Sequence, residues 1–346
     1  MEQIIRIGMD TSKSVFQLHG VDLAERPVLR KQLWREAMIS FFRKLPPTVV
    51  GIEACGGAHH WGRLLASYGH QVKLLPPQYV KPYVKRGKND AADAEALCEA
   101  MSRPTMRFVA VKSADQQAAQ MLAGVRDQLV RRRTQLTNAI RGYGAEFGLV
   151  AGKGLGKIEP LLARIRADEA VPALAKELFE AQAREHARLQ KELEALDAKL
   201  MAWHRANALS RRLAQIPGVG PIGATLMAIK VADANAFKSG RDFAAWIGLT
   251  PKNHSTAGKN RLGVITRAGD SMLRSVLVAG ATALIQHRTR GRGQTSPWLT
   301  GLLKRKPPKL AAVALANKTA RIAWKLMVSG ECYRPGSAMS LSMARV

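Results

Sequence analysis

The sequence predicts an α/β amino-terminal region followed by a mainly α-helical remainder. Three observations predict it: short β-rich runs alternate with helical patterns at the start, leucines recur every three or four residues through the middle, and Gly/Pro turns separate helical runs towards the end. With 346 residues, 47% of them hydrophobic, the chain is long enough for two or three buried cores.

In the first segment the runs Ile4–Met9, Val15–Val21, Thr48–Ile52 and Gln71–Leu75 read as strands, and Arg35–Leu45 and His59–Tyr68 as helices. Strands that succeed one another before the first helix are characteristic of the ribonuclease-H-like fold, in which an Asp of the first strand and an acid of the fourth meet acids from a later helix. Four carboxylates fall in those places. Asp10 follows the first apolar run, Glu53 follows Val49–Ile52, and Asp90 and Asp93 stand three apart at the start of a helical pattern, where they share one face. Acids just past apolar strands lie where open α/β sheets gather ligands, and hard oxygen donors suit Mg²⁺. One of the helix pair is also a candidate N-cap. Pro76, Pro77 and Pro82 interrupt the pattern, and Lys81–Lys88 reads as a basic loop near the metal and phosphate. His59 and His60 read as packing or surface residues at a helix start rather than as ligands.

The middle segment reads as two long helices that pair antiparallel. Leu122, Val125, Leu129, Leu136, Tyr143 and Phe147 mark one stripe, and Leu189, Leu193, Leu196, Leu200 and Trp203 have coiled-coil spacing. The link Val150–Lys157 is Gly-rich but lacks the Gly-Lys-Ser/Thr ending of a nucleotide-binding loop, so it reads as a flexible turn and ATP use is not indicated. Arg131–Arg133 either tracks a phosphate backbone or forms a solvated face.

The last segment opens with Ile216-Pro-Gly-Val-Gly-Pro-Ile222, either a helix-hairpin-helix-like turn that grips phosphate through backbone N–H groups or a tight structural turn with Gly at positive φ. A helical run follows over residues 223–231. The polar stretch Thr250–Gly263 reads as a loop that either carries a nucleophile or grips phosphate, and His254 beside Ser255 is placed to assist proton transfer only if the geometry allows. A helix is expected over Ser271–Ile285, then basic runs at Arg288–Arg292 and Lys304–Lys309, with disorder after Pro335.

Charge favours a nucleic-acid partner, although a ribosomal-type structural protein or a polybasic membrane-surface protein would share it. The 54 basic and 26 acidic residues give +28, of which +7 falls on residues 1–112, +2 on 113–203 and +19 on 204–346. Such a surplus is expected to meet a nucleic-acid backbone, above all in the carboxy-terminal part. Cys55, Cys98 and Cys332 form no paired motif, so neither a disulfide framework nor a zinc knuckle is indicated and a reducing cytoplasm fits. Neither an export signal nor a membrane span is expected.

The motifs Gly8-Met-Asp-Thr-Ser-Lys13, Gly51-Ile-Glu-Ala-Cys-Gly56, Lys88-Asn-Asp-Ala-Ala-Asp-Ala94, Ile216-Pro-Gly-Val-Gly-Pro221 and Gly248-Leu-Thr-Pro251, in that order, resemble the DEDD-type transposases of insertion sequences. The resemblance spans about residues 4–330. It implies a domain similar to the junction nuclease RuvC over 1–112, a coiled-coil dimerisation region over 113–205, a helical transposase domain over 206–334 and a tail over 335–346. It implies that Asp10, Glu53, Asp90 and Asp93 bind the metal, that Ser255 is the nucleophile, and that a structured bridge RNA pairs with donor and target DNA. Many relatives read Ser-Ser-Gly-Gly where this chain reads Ser255-Thr-Ala-Gly258, so Thr256 is a second candidate nucleophile. The family picture further implies phosphate contacts by Lys252, Lys259, Arg261 and Arg267, a dimer or tetramer, and action in the cytoplasm. The rivals are a junction nuclease that cuts with water and a non-catalytic scaffold.

Overall fold

Alternating apolar residues build the first sheet. In the computed structural model, which describes residues 3–85, 89–256, 259, 261–290 and 296–334, the strands are β1 (Arg6–Thr11), β2 (Val15–Val21), β3 (Pro27–Trp34), β4 (Val49–Glu53) and β5 (Gln71–Leu75). Their order is β3-β2-β1-β4-β5, with β1–β2 and β2–β3 antiparallel and β1–β4 and β4–β5 parallel. Between them lie α1 (Arg35–Lys44) and α2 (Ala58–Ser67), and after β5 come a short α3 (Pro77–Val80) and α4 (Asp90–Ala100). Phe16, Met38, Phe42, Trp61 and Leu65 form a core with the sheet. A second cluster joins Val21 and Leu75 to Ala96, Leu97, Cys98 and Met101 of α4 and its end.

Three differences from the sequence reading matter. β3 is an additional strand before α1; at the sheet edge only its Leu33 is buried, so no apolar alternation announces it. Asp10 lies inside β1 rather than beyond it, and Glu53 is the last residue of β4. Part of the expected basic loop is ordered as α3 and a 3₁₀ turn, Lys81–Tyr83, while residues 86–88 lie outside the described set.

The described residues up to Gln117, with Val231–Phe237, form one compact unit; Ala118–Lys230 and the described residues from Lys238 onward form another. In the helical unit, α5 (Ala114–Glu146) and α7 (Ala173–Ala206) run antiparallel, with Leu129 packed on Leu189 and Leu193 and an Arg126–Asp197 ion pair beside them. The α5 stripe bends away from expectation: Ile140 is buried, whereas Tyr143 and Phe147 are exposed. Within the arginine run, Arg131 pairs with Asp127 at 2.7 Å and Arg133 Nη1 donates to Gln190 of α7 at 2.7 Å. The connection holds a helix that the Gly-rich reading missed, α6 (Ile158–Ala167), whose Ile158, Leu161, Leu162 and Ile165 pack with Ile140 and Phe179.

Beyond α7 come α8 (Ala208–Leu213), α9 (Pro221–Lys230), α10 (Gly240–Trp246), the strands β6 (Pro251–Asn253) and β7 (Leu262–Ile265), then α11 (Ser271–Thr289), α12 (Pro297–Arg305) and α13 (Pro308–Ser329). The stretch expected as a loop after Thr250 is therefore an antiparallel ribbon. In the turn before α9, Gly218 has φ +83° and a Cβ there would meet Gly280 O at 3.2 Å, so a structural reason for glycine is present. The tail expected to be disordered after Pro335 lies outside the described residues, as do residues 291–295 of the basic run. Among the described residues no helix is long and apolar enough to cross a membrane.

Candidate active site

Gly8 sets the position of the acidic helix. A Cβ at Gly8 would lie 2.1 Å from Ala94 O and 2.5 Å from Cys98 N, so α4 rests directly on the β1 backbone. Asn89, not either aspartate, caps α4: its side chain accepts from Ala91 N at 3.0 Å. Asp90 and Asp93 are thereby free in the first turn, where the helix dipole favours negative charge.

Seated in this way, α4 brings Asp90 and Asp93 to Asp10. One oxygen from each of the three carboxylates lies within 4.8 Å of the others. Burial, then the charges of Asp93 and Asp90, pushes the Asp10 carboxyl up to about 6, with Glu53 contributing less. Glu53 falls outside the 4.8 Å set, but burial and the Asp93 charge raise its carboxyl as well. Among the described residues none of the four forms an ion pair. An all-oxygen cluster with uncompensated charge fits a hard divalent cation, which would supply the missing positive charge. His59 and His60 are not part of it: His59 Nδ1 accepts from Lys112 N at 3.2 Å, and His60 stands exposed beside Trp61.

In the helical unit, Ser255 lies towards the tip of the β6–β7 ribbon. Its hydroxyl donates to Asn253 Oδ1 and accepts from Arg261 N at 3.2 Å, and its own N–H also donates to Asn253 Oδ1 at 3.0 Å. Asn253 was missed in the sequence, although Asn two residues before a polar Ser is a legible side-chain-to-backbone turn signal. His254 packs its ring near Gly263 rather than holding the serine hydroxyl. Lys252, Lys259, Arg261 and Arg267 are all exposed, as is Thr256, while residues 257, 258 and 260 lie outside the described set. A second serine–histidine pair is closed to substrate: Ser210 is wholly buried, held by His204 Nδ1 at 2.8 Å and Thr225 Oγ1 at 3.1 Å.

The ribbon has a stiff root. Gly248, Arg267 and Gly269 have φ of +80°, +58° and +70°. A Cβ at Gly248 would lie 2.2 Å from Ala268 O, and one at Gly269 would lie 1.8 Å from Trp246 O. Arg274 Nη1 ties the crossing through Ile247 O at 2.8 Å and Ala268 O at 3.0 Å.

Family models match each half of the chain. A family model described as Transposase, of the DEDD type of IS110, matches residues 7–143, and one described as Transposase IS116/IS110/IS902 family matches residues 210–295. A protein of Sinorhizobium fredii named as a transposase is 68% identical over 96% of this chain and 87% of its own length. The transposase for insertion sequence element IS1328 of Yersinia enterocolitica is 38% identical over 96% of this chain and 99% of its own. That for IS1111A of Coxiella burnetii is 39% identical over 97% and 93%. With relatives this similar along nearly its whole length, the chain belongs to the IS116/IS110/IS902 family of insertion-sequence transposases, enzymes that cut and rejoin DNA.

Proposed function

We propose that this transposase cuts and rejoins donor and target DNA in the cytoplasm through a covalent phosphoserine at Ser255, with Mg²⁺ held by Asp10, Glu53, Asp90 and Asp93, and that a structured bridge RNA guides it. The observation that carries the reading is the gathering of Asp10, Asp90 and Asp93 without a counter-charge. The strand order, with three strands before the first helix, supports a ribonuclease-H-like, RuvC-like amino-terminal domain over 1–112. The paired long helices support a coiled-coil region over 113–205 through which a dimer or tetramer assembles, leaving 206–334 as the transposase domain.

In the reaction, Ser255 Oγ attacks a DNA phosphorus, the bond to the 3′ oxygen breaks, and the serine proton ends on that oxygen as a free 3′-hydroxyl. The phosphoserine conserves the bond energy, so reversal with an exchanged strand rejoins the ends without ATP. Bound Mg²⁺ would neutralise developing negative charge on the phosphate and leaving oxygen. Asn253 holds the hydroxyl in one orientation, and Lys252, Lys259, Arg261 and Arg267 offer backbone contacts at the same ribbon and its root. Base pairing by the RNA would read sequence while the protein grips backbone.

Denaturing gels of cleavage reactions, with the adduct mapped by mass spectrometry, test this. A DNA adduct on Ser255 that disappears in Ser255→Ala is the expected result. An adduct on Thr256 moves the nucleophile by one residue. Cleavage by Ser255→Ala at the wild-type rate means that water attacks, as in a junction nuclease.

A further inference from the structure

A row of polar side chains runs outward from the carboxylates. Partners across a ladder share a face of the sheet. Asp10 is opposite Gln17, and Gln17 is opposite Gln32; one pair along, Gly8 is opposite His19, and His19 is opposite Arg30. Between this outer face and the first turn of α4 lies a cavity of about 360 Å³ whose lining includes Gln17, His19, Arg30, Gln32, Asn89 and Glu95.

The groups around the cavity are incompletely used. His19 is only 5% exposed and lines the cavity, yet its imidazole has no hydrogen-bond partner among the described residues. Its ring nitrogens are not among the buried atoms left without a partner, so they open onto the cavity, where a ligand can meet them. Gln17 Nε2 donates to Gln32 Oε1 at 3.1 Å, which leaves the Gln17 carbonyl as an acceptor beside the Gln32 amide as a donor. Lys85 Nζ neutralises Glu95 at 2.5 Å, whereas Arg30 makes no ion pair among the described residues, so an unmatched positive charge remains at the rim. Burial and the neighbouring Arg30 and Lys85 charges outweigh Glu95 and keep the His19 imidazole towards its neutral form, able both to donate and to accept.

Adjacent donors and acceptors match the edge of an unpaired base, and the free arginine matches a phosphate. The volume lies at the lower end of the roughly 300–1,000 Å³ typical of small-molecule pockets, so a single nucleotide suits it and a duplex does not. We propose that this cavity holds one unpaired nucleotide of the DNA strand being cut, its base against Gln17, His19 and Gln32 and its phosphate against Arg30. The cut strand is the occupant because Gln17 is the direct cross-strand neighbour of Asp10; in this respect the inference rests on the proposed cleavage. The enzyme would then favour strands that present a base already out of the stack.

Photo-crosslinking tests it. The full-length protein is mixed without divalent ions with a mixed-sequence single-stranded oligodeoxynucleotide carrying 5-iododeoxyuridine, and crosslinked peptides are identified by mass spectrometry. Crosslinks are expected on the β2 and β3 segments, with yield reduced about tenfold by Arg30→Ala and by Gln32→Ala, as loss of one good base or phosphate contact requires. Both side chains are exposed, so unchanged thermal unfolding should show that the fold is intact. Crosslinks confined to other segments, or a yield indifferent to both substitutions, overturn the proposal. Capture of an RNA strand of the same sequence but not of DNA overturns the assignment to the cut strand. Asp10→Asn should retain the crosslink while losing cleavage; an Asp10→Asn protein that still cleaves, with the crosslink intact, defeats the metal reading and leaves the pocket standing.

Discussion

Replacing Asp10 by Asn should make the metal-free protein more stable at neutral pH. The Asp10 carboxyl is raised from its ordinary 3.8 to about 6 by burial and by the Asp93 and Asp90 charges. A carboxyl whose folded value exceeds its unfolded value contributes stability that is complete below about pH 4 and is lost as pH rises through about 6. Each unit corresponds to about 1.4 kcal/mol, so the shift sets a ceiling of about 3 kcal/mol. Solvent reaches this half-open site and screens the repulsion, which leaves about 1–2 kcal/mol. Urea denaturation in the presence of a chelator is the assay. Asp10→Asn should gain about 1–2 kcal/mol over wild type at pH 7.5 and nothing at pH 4. Adding Mg²⁺ or Mn²⁺ should stabilise wild type and have much less effect on the variant. A variant no more stable than wild type at pH 7.5, or one whose advantage persists at pH 4, would refute the argument from burial and charge repulsion.

Gly8→Ala should destabilise the sheet unit by about 1–3 kcal/mol or more, because the new methyl overlaps the α4 backbone, and should weaken Mn²⁺ binding measured by calorimetry as α4 is displaced. Leu189→Ala should cost about 2–5 kcal/mol in urea denaturation, since it empties a buried position between the long helices. Asn253→Ala removes the acceptor to which the Ser255 hydroxyl donates; the rate of adduct formation should fall about tenfold or more in single-turnover gels, with DNA affinity by fluorescence anisotropy unchanged.

Much of the carboxylate arrangement was legible because it rests on short-range rules. Apolar runs marked β1 and β4, and the spacing of Asp90 and Asp93 placed both on one helical turn. The sequence did not disclose which residue caps that turn, since Asn89, Asp90 and Asp93 are all competent caps. Nor did it disclose how far Glu53 stands from the other three, which depends on packing across strands. β3 escaped notice because its apolar residues Val28, Leu29, Leu33 and Trp34 stand in adjacent pairs around a polar centre and do not alternate, and β6 and β7 because they are short and almost wholly exposed. The two carboxy-terminal helices were read only as basic runs. In α13 the buried face is built largely from alanines, Ala311, Ala312, Ala316, Ala320 and Ala323, whose small side chains give little periodic contrast. In α5 a stripe extrapolated towards Phe147 overshot, because the buried line passes through Ile140 instead.

The crossing beneath the serine ribbon has a mechanical corollary. Two stretches of main chain touch there with no side chain as a cushion, and the Arg274 guanidinium staples them to the start of α11. Bending at that point would break several contacts together, so the root of the ribbon should move as one piece with α10 and α11. The hydroxyl of the proposed nucleophile thus rides on an arm with a fixed pivot, which narrows the arc over which it could meet a phosphate.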